Sequence, residues 1–595
     1  MSTKRRNLLL FGIILGIITF YLFHRVTILY ESLQGDVIAR LTETMDQLFM
    51  QLEKEPINLQ FSEHSLLAGM VGFFAVALII LYQLSDDKKY LRGKEHGSAT
   101  WGNRKDIQPF INHKVPEQNI LLTKTEKLSL DMRMKVTSTD NFNRNKNVLV
   151  VGGAGSGKTR FFVKPNVMQM NASYVITESK GLLLGELGQM LRDNGYRIKV
   201  FDLINRKNCD QYNPFCYMKD EDDILDVVSN FIRNTNGSVT NTGDPFWEKS
   251  EKAFYSALFH YLLLVGAPEE RTFSMVGNLV RSARIEGDDD QFVSALDLLF
   301  QDLEEAYPES FAVKQYSIYK LASYKTAKSI LISAGVRLAP FDIPSIQELT
   351  AKDTLELDTL GDEKTALFIC LPDTKDTLNF LVSMMYEQLF EKLVYKADTE
   401  YQGSLPFHVQ CDLDEFANTG LIPNFEKKIA VIRSRNISAN IILQNLSQLK
   451  HLYKDSWETI VGNCDSFLYL GGMEQSTHES VAKLLGKQTI DDMDISENKG
   501  PNGSYNKNHK KLGRSLLEPD EVGTIKGGQC ILKIRGVRPF LSSKYVLEAH
   551  PNYKLITDYD ASNWYEYQPA VARVHHFLKN VSTVEEVDLS IINNL

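Results

Sequence analysis

Asn147-Val-Leu-Val-Val151, running without a break into Gly152-Gly-Ala-Gly-Ser-Gly-Lys-Thr159, is the stretch on which the reading of this 595-residue chain turns. The first five residues have the length and apolar character of a short buried strand. The next eight satisfy G-x-x-x-x-G-K-[ST]. In such a loop Gly152, Gly153, Gly155 and Gly157, with Ala154 and Ser156 between them, let successive backbone N–H groups turn inward. Lys158 supplies a point charge for β- and γ-phosphates, and Thr159 a hydroxyl for Mg²⁺. A helix opening near residue 157 aims its positive end at the same phosphates. The expectation is an α/β fold around a nucleoside triphosphate site, with ATP and Mg²⁺ as ligands.

Such a loop needs an acid from another strand. Phe407-His-Val-Gln-Cys-Asp-Leu-Asp-Glu415 is a hydrophobic strand ending in carboxylates. Asp414 is expected in the Mg²⁺ shell, and Glu415 is expected to polarise the attacking water as general base. Asp412 lies two residues earlier, on the same strand face, and competes with Asp414 for the metal. A Glu beside the metal acid points to hydrolysis rather than kinase chemistry. Ile437 to Leu443 reads as a neighbouring strand whose terminal Gln444 senses the γ-phosphate. Arg433 and Arg435 are alternative arginine fingers for a neighbouring subunit's site, although spacing alone favours surface residues.

Working outward, Lys4, Arg5 and Arg6 precede an uncharged apolar run from Leu8 to Phe23, and a second run extends from Ser65 to Leu84. A bilayer core takes roughly 20 apolar residues as helix. The second run meets this, and the first does if Arg25 snorkels to the interface. No small-x-small cleavage site follows the first run, which argues against a signal peptide. Cations before the first run, and Lys88, Lys89, Arg92 and Lys94 after the second, predict a hairpin with both ends and the main body in the cytoplasm. The six cysteines are scattered without a CxxC pair, which excludes a disulfide framework or zinc module and fits a reducing compartment. A net charge of −9 excludes a protein coated in positive charge, though not a local basic surface.

Between the two halves of the nucleotide-binding region, long amphipathic stretches (Phe246 to Val265, Phe292 to Ala306, Lys314 to Leu338) predict an inserted all-α domain. Phe246 and Trp247, after Asp244-Pro245, read either as a recognition patch or, as favoured here, as the hydrophobic start of a helix packing on the core. The stretch 499–514 carries Lys499, Lys507, Lys510, Lys511 and Arg514 with no acid and many turn formers. It reads as a mobile loop, either simply solvated or suited to a phosphate backbone, with Tyr505 as the nearby ring for base stacking. The tail beyond Pro551 carries no usable motif.

Taken together, the hairpin, GGAGSGKT, a helical insertion and then LDEFANTGLIPNFEKKIAVIRSRNISANIILQ resemble the type IV coupling proteins of conjugation, the VirD4/TraG family. Further matching phrases are His96 to Gly102 (HGSATWG), Tyr212 to Phe215 (YNPF), Asp244 to Trp247 (DPFW) and Leu516 to Val522 (LLEPDEV). The resemblance implies a RecA-like P-loop ATPase of the FtsK/HerA type, a homo-hexamer when active. It would receive a relaxase with its single-stranded DNA and pass them to type IV secretion channel proteins. It makes Lys158 and Thr159 the Walker A pair and Asp414 and Glu415 the Walker B pair. It also favours Arg433 as the finger, eleven residues before Gln444. Many relatives read D-x-K-G-E where this chain has Glu178-Ser-Lys-Gly-Leu182, which weakens any role for that loop. Competing readings are a nucleotide-gated docking platform and an FtsK-like DNA translocase. The expected division is a membrane anchor (1–95), a first nucleotide-binding part (96–218), the inserted all-α domain (219–350), a second nucleotide-binding part (351–550) and a tail (551–595).

Overall fold

The two apolar runs become helices α1 (Thr3–Ser32) and α3 (Glu63–Ser85), both long and apolar enough to cross a membrane. Side chains such as Phe11, Ile14, Phe74 and Leu78 stay exposed, an arrangement costly in water and suited to lipid. Gly12 and Gly16 let the helices approach closely: a Cβ on them would lie 2.8 Å from Ile80 and 2.9 Å from Phe73. Between them the chain forms an amphipathic helix, α2 (Val37–Lys54), which the sequence reading treated only as an outer segment. Arg25 is buried and donates to the Glu55 carbonyl just past the end of α2, 3.1 Å away.

This computed structural model describes residues 3–85, 93–131, 144–236, 245–284, 292–498 and 504–569. Lys88, Lys89, Arg92, Asp244, Lys499 and the tail beyond 569 lie outside the described residues, as do the side chains of Lys4, Arg5 and Tyr505. The described chain divides into two compact units, Met1–Glu95 and His96–Leu595.

The second unit begins with a short hairpin of β1 (Asn119–Leu121) and β2 (Lys127–Ser129), then builds a nine-stranded sheet. Its strands are β3 (Val148–Val151), β4 (Ser173–Glu178), β5 (Arg197–Asp202), β6 (Thr365–Cys370), β7 (Val409–Leu413), β8 (Ile437–Leu443) and β9 (Ser466–Tyr469), all parallel to their neighbours in this set. Two antiparallel edge strands, β12 (Gln529–Ile534) and β13 (Phe540–Ser543), extend one side. The spatial order is β13-β12-β9-β3-β8-β7-β4-β6-β5. Strand β8 therefore lies between the strand feeding the glycine loop and the strand feeding Asp414.

Parallel strands buried on both faces need apolar residues at every position, which is why β3 reads Val-Leu-Val-Val. Val148, Val150, Tyr174 and Ile176 point to one core, under the short helices α4 (Arg104–Ile107) and α5 (Lys164–Val167) and helix α6 (Leu183–Asp193). Leu149, Val151, Val175 and Leu413 point to the other. That second core is shared with a run of helices: α7 (Glu221–Thr235), α8 (Pro245–Val265), α9 (Phe273–Ser282), α10 (Ala295–Ala306), α11 (Phe311–Lys320), α12 (Tyr324–Leu338), α13 (Pro344–Leu349) and α14 (Asn379–Thr399). Phe231 on α7, Phe273 on α9, Phe380 on α14 and Phe341 in the turn between α12 and α13 interlock, with ring centroids 4.6 to 5.5 Å apart in the closest pairs. The helical region is thus fused to the sheet's own core. Phe246 and Trp247 do begin α8, but they remain 46% and 43% exposed, against the expectation that they pack inward.

Of the stretch 499–514 expected as a mobile loop, residues 504–514 instead lie in strand β11 (Ser504–Ser515), paired antiparallel with β10 (Lys487–Asn498), and residues 499–503 lie outside the described residues. The earlier strand was missed because it carries acids rather than an apolar alternation. Asp491 sits opposite Lys511 and Asp492 opposite Lys510, and Lys510 is ion-paired with Asp494. Arg514 pairs with Glu521 at 2.6 Å. Opposite charges across the ladder offset the attraction to phosphate expected from the basic strand alone. Replacing Lys507, Lys510 and Lys511 by Gln should therefore leave the salt dependence of single-stranded DNA binding unchanged. A log–log slope lowered by about 2 would instead show that this strand contacts phosphates.

Candidate nucleoside triphosphate site

Parallel strands end on one edge of a sheet, and the loops following β3, β4, β6, β7 and β8 converge there. A cavity of about 720 Å³ opens between them, lined by Gly153 to Gly155, Gly157 to Thr159, Glu178, Asp373, Asp414, Glu415, Asn418 and Gln444. Gly155 and Gly157 take φ of +74° and +84°, the left-handed turn that an inward-facing loop demands. After Thr159 the chain winds through a π-helical turn, Thr159–Val163, into α5.

Five of the expected side chains meet in this cavity. The Thr159 hydroxyl donates to Asp414 at 2.9 Å. The Lys158 ammonium donates to the Gly152 carbonyl at 3.1 Å and lies 3.5 Å from Glu415. Gln444, at the end of β8, donates to the other Glu415 oxygen at 3.1 Å. Its own N–H is held by Gln448 at 3.0 Å. Glu415 stands in the left-handed region, φ +51°, ψ +48°, a conformation an L-residue keeps only when its surroundings impose it. Burial pushes the Asp414 carboxyl above its usual range, while the Thr159 hydroxyl pulls it back. A hydroxyl and a carboxylate 2.9 Å apart form a hard oxygen pair, the kind Mg²⁺ takes while keeping water and phosphate oxygens for its other positions. The residues fit the ion.

Asp412 is excluded from that role. It lies fully buried within strand β7, accepts from Asn440 at 2.6 Å and from Gln410 at 3.0 Å, and is pushed up to about 7 by burial. Arg433 is not brought to this cavity. It precedes β8, whereas Gln444 follows it, and seven strand residues separate the two sheet edges by about 23 Å. Arg435 is committed elsewhere, gripping Asp398 through two bonds of 3.0 and 2.8 Å.

Several lining groups escaped the sequence reading. Glu178 caps α6, accepting from the N–H groups of Leu182 and Leu183 at 2.8 Å and of Leu184 at 3.2 Å. Burial nonetheless lifts its carboxyl to about 7. The tail is equally involved: Asp558 pairs with Arg160 at 2.9 Å and Lys164 at 2.5 Å, and Lys164 also reaches Glu186 at 3.0 Å. Arg160 could have been flagged by its place beside Thr159. Nothing local marks Asp558, whose partners lie nearly 400 residues earlier.

A buried carboxyl raised to about 7 takes up a proton on folding, so it favours the native state at low pH and disfavours it once ionised. Asp412→Asn should therefore raise Tm relative to the unsubstituted chain more at pH 8 than at pH 6. Equal shifts at both pH values would contradict the buried, proton-binding Asp412.

A family model described as type IV secretory system conjugative DNA transfer matches residues 101–553. A conjugal transfer protein TraG of Escherichia coli is 22% identical over 505 residues, covering 77% of this chain and 75% of that protein. Another E. coli TraG is 26% identical over 212 residues, 33% of each. Among solved structures, the bacterial conjugative coupling protein TrwBdeltaN70, trigonal form in complex with sulphate, has a TM-score of 0.54 at 14% identity, covering 75% of this chain and 93% of that one. Its unbound monoclinic form has a TM-score of 0.50 at 14% identity, covering 67% and 84%. These likenesses carry the fold, helices packed on both faces of a largely parallel sheet. The family match, spanning well over half of the sequence, carries the kinship: this chain belongs to the type IV secretory system conjugative DNA transfer family.

Proposed function

We propose that this chain is a membrane-anchored ATPase that binds a relaxase with its single-stranded DNA and delivers them to the secretion channel, using ATP hydrolysis in a homo-hexamer. The observation that carries the reading is the meeting of Lys158, Thr159, Asp414, Glu415 and Gln444 in one cavity, from three strands far apart in the chain. A TrwB structure solved with a non-hydrolysable ATP analogue accords with this. The apolar helices α1 and α3 accord with an anchor, and the flanking cations with a cytoplasmic body. The division into residues 96–218, 219–350 and 351–550 belongs to the same proposal.

In this reading the backbone N–H groups of Gly153 to Thr159 and the Lys158 ammonium hold the triphosphate. Mg²⁺, when bound, neutralises charge on the phosphate oxygens from the side of Thr159 and Asp414. Glu415 takes the proton of the attacking water, and Gln444 fixes the carboxylate that does so. Arg433, on the far edge of the sheet, serves the site of the next subunit.

Lys158→Ala should lose nucleotide binding. Glu415→Gln should bind ATP normally while turnover falls by about 10²- to 10⁴-fold, the usual span for loss of a general base. Equal turnover in both variants and the unsubstituted chain overturns the assignment. For Arg433, two inactive variants are mixed. Rings of Arg433→Ala and Glu415→Gln chains should regain turnover, because an intact site on the first meets an intact finger on the second. No recovery rejects the finger acting between subunits.

A further inference from the structure

The loop that carries Glu415 is held by a side chain from outside the nucleotide site. Between Glu415 and α15 (Phe425–Val431), the chain adopts left-handed backbone at three places: Glu415 (φ +51°), Gly420 (φ +75°) and Asn424 (φ +52°). Glu415 and Asn424, the two non-glycine residues among these, keep that backbone only where neighbours impose it. The segment's neighbours include Ser383 on α14, the Tyr453 hydroxyl, which accepts from the Ile422 N–H at 3.2 Å, and Asn234 in the last turn of α7.

Asn234 grips Leu421 from both sides of the peptide. Its Oδ1 accepts from the Leu421 N–H at 2.7 Å, and its Nδ2 donates to the Leu421 carbonyl at 3.0 Å. The Ser383 hydroxyl on α14 also donates to that carbonyl, at 2.6 Å. Gly420 is required beside the clamp, since a Cβ there would stand 2.9 Å from Asn234 Oδ1. Asn234 is itself oriented one turn back by Asn230, whose Oδ1 accepts from it at 2.8 Å and whose Nδ2 donates to buried Glu387 at 2.5 Å. The other end of the loop returns to the cavity, where the Asn418 N–H closes on the Glu415 carbonyl at 2.7 Å and Asn418 lines the pocket.

The end of α7 is fixed in turn from the helices that follow it. Arg337 on α12 donates to the Ile232 carbonyl at 3.2 Å and the Thr235 hydroxyl at 3.0 Å, and pairs with Glu251 on α8 at 2.8 Å. Glu251 sits one turn beyond the exposed Phe246 and Trp247. An ion pair and hydrogen bonds therefore connect Glu251 on α8, through Arg337 and the end of α7, to Leu421 in the loop that follows Glu415.

We propose that Asn234 is a positioning residue for hydrolysis: by clamping Leu421 it holds the loop that presents Glu415 to the water, and it ties that geometry to the inserted helices. The inference rests on the function proposed above for Glu415. It uses no direct contact between Asn234 and nucleotide, which separates it from a binding role.

The test compares the full-length chain with Asn234→Ala and with the isosteric Asn234→Asp, which keeps the acceptor for the Leu421 N–H and loses the donor to its carbonyl. For Asn234→Ala, kcat should fall by about tenfold or more while KM for ATP and ADP affinity stay within about twofold, the signature of a group that acts only in the chemical step. Asn234→Asp should fall between the two. Amide exchange should accelerate across residues 416–424 and stay unchanged in β3 and the glycine loop. Unchanged kcat in Asn234→Ala, a parallel loss of ADP affinity, or unchanged exchange in the loop overturns the proposal. If the unsubstituted chain turned over no ATP, the proposed function would fail, and the exchange measurement would still decide whether Asn234 holds the loop.

Discussion

The hydrogen bond from Thr159 to Asp414 joins residues 255 positions apart, and the arrangement of the site depends on it. It requires that β3 and β7 run in the same direction and end level with each other, separated by β8 alone. Parallel pairing demands crossover connections, and these connections are the helices covering both faces of the sheet. Once that register is set, Gln444 must emerge between the glycine loop and the acids, and Arg433 must emerge on the opposite edge. The placement of one hydroxyl beside one carboxylate thus follows from strand order, as does the distance of the arginine from its own cavity.

Burial then sorts the carboxylates by role. Asp412, Asp414 and Glu415 are near neighbours in sequence, yet they meet three environments. Asp412 is sealed among apolar strands and answered by two amides, Asp414 touches the Thr159 hydroxyl at the cavity wall, and Glu415 faces the opening between Lys158 and Gln444. Desolvation raises a carboxyl wherever it is buried, so only the group with a hydroxyl partner and a path to the cavity suits a cation. The β4 end adds Glu178, whose carboxylate is spent on the first N–H groups of α6.

Much of this was legible in the sequence for a physical reason: the glycine loop and the acid-ended strand are local patterns whose chemistry depends on adjacent residues. The loop from Gly152 to Thr159, the strand ending at Asp414, Gln444 after Ile437–Leu443 and the helices after residue 219 all carry their meaning in short windows. What stayed hidden depends on pairing across the chain. The choice between Asp412 and Asp414 turned on which cavity each faces, which a period-two alternation cannot decide. The basic stretch near Lys510 reads alone as a free loop because its acidic partners, Asp491 to Asp494, lie on a different strand. Helix α2 was read as a mere outer segment, although its apolar residues recur at helical spacing. Asp558, which holds Arg160 and Lys164, is invisible without the fold.

The most direct measurement is a crystal structure of the chain with a non-hydrolysable ATP analogue and Mg²⁺. The account predicts the metal about 2.0–2.1 Å from the Thr159 hydroxyl oxygen, with Asp414 beside it, Lys158 against the terminal phosphates, and Glu415 facing the outer side of the γ-phosphate. Phosphates bound away from the Gly152–Thr159 loop, or a metal held by Asp412 in place of Asp414, would contradict it.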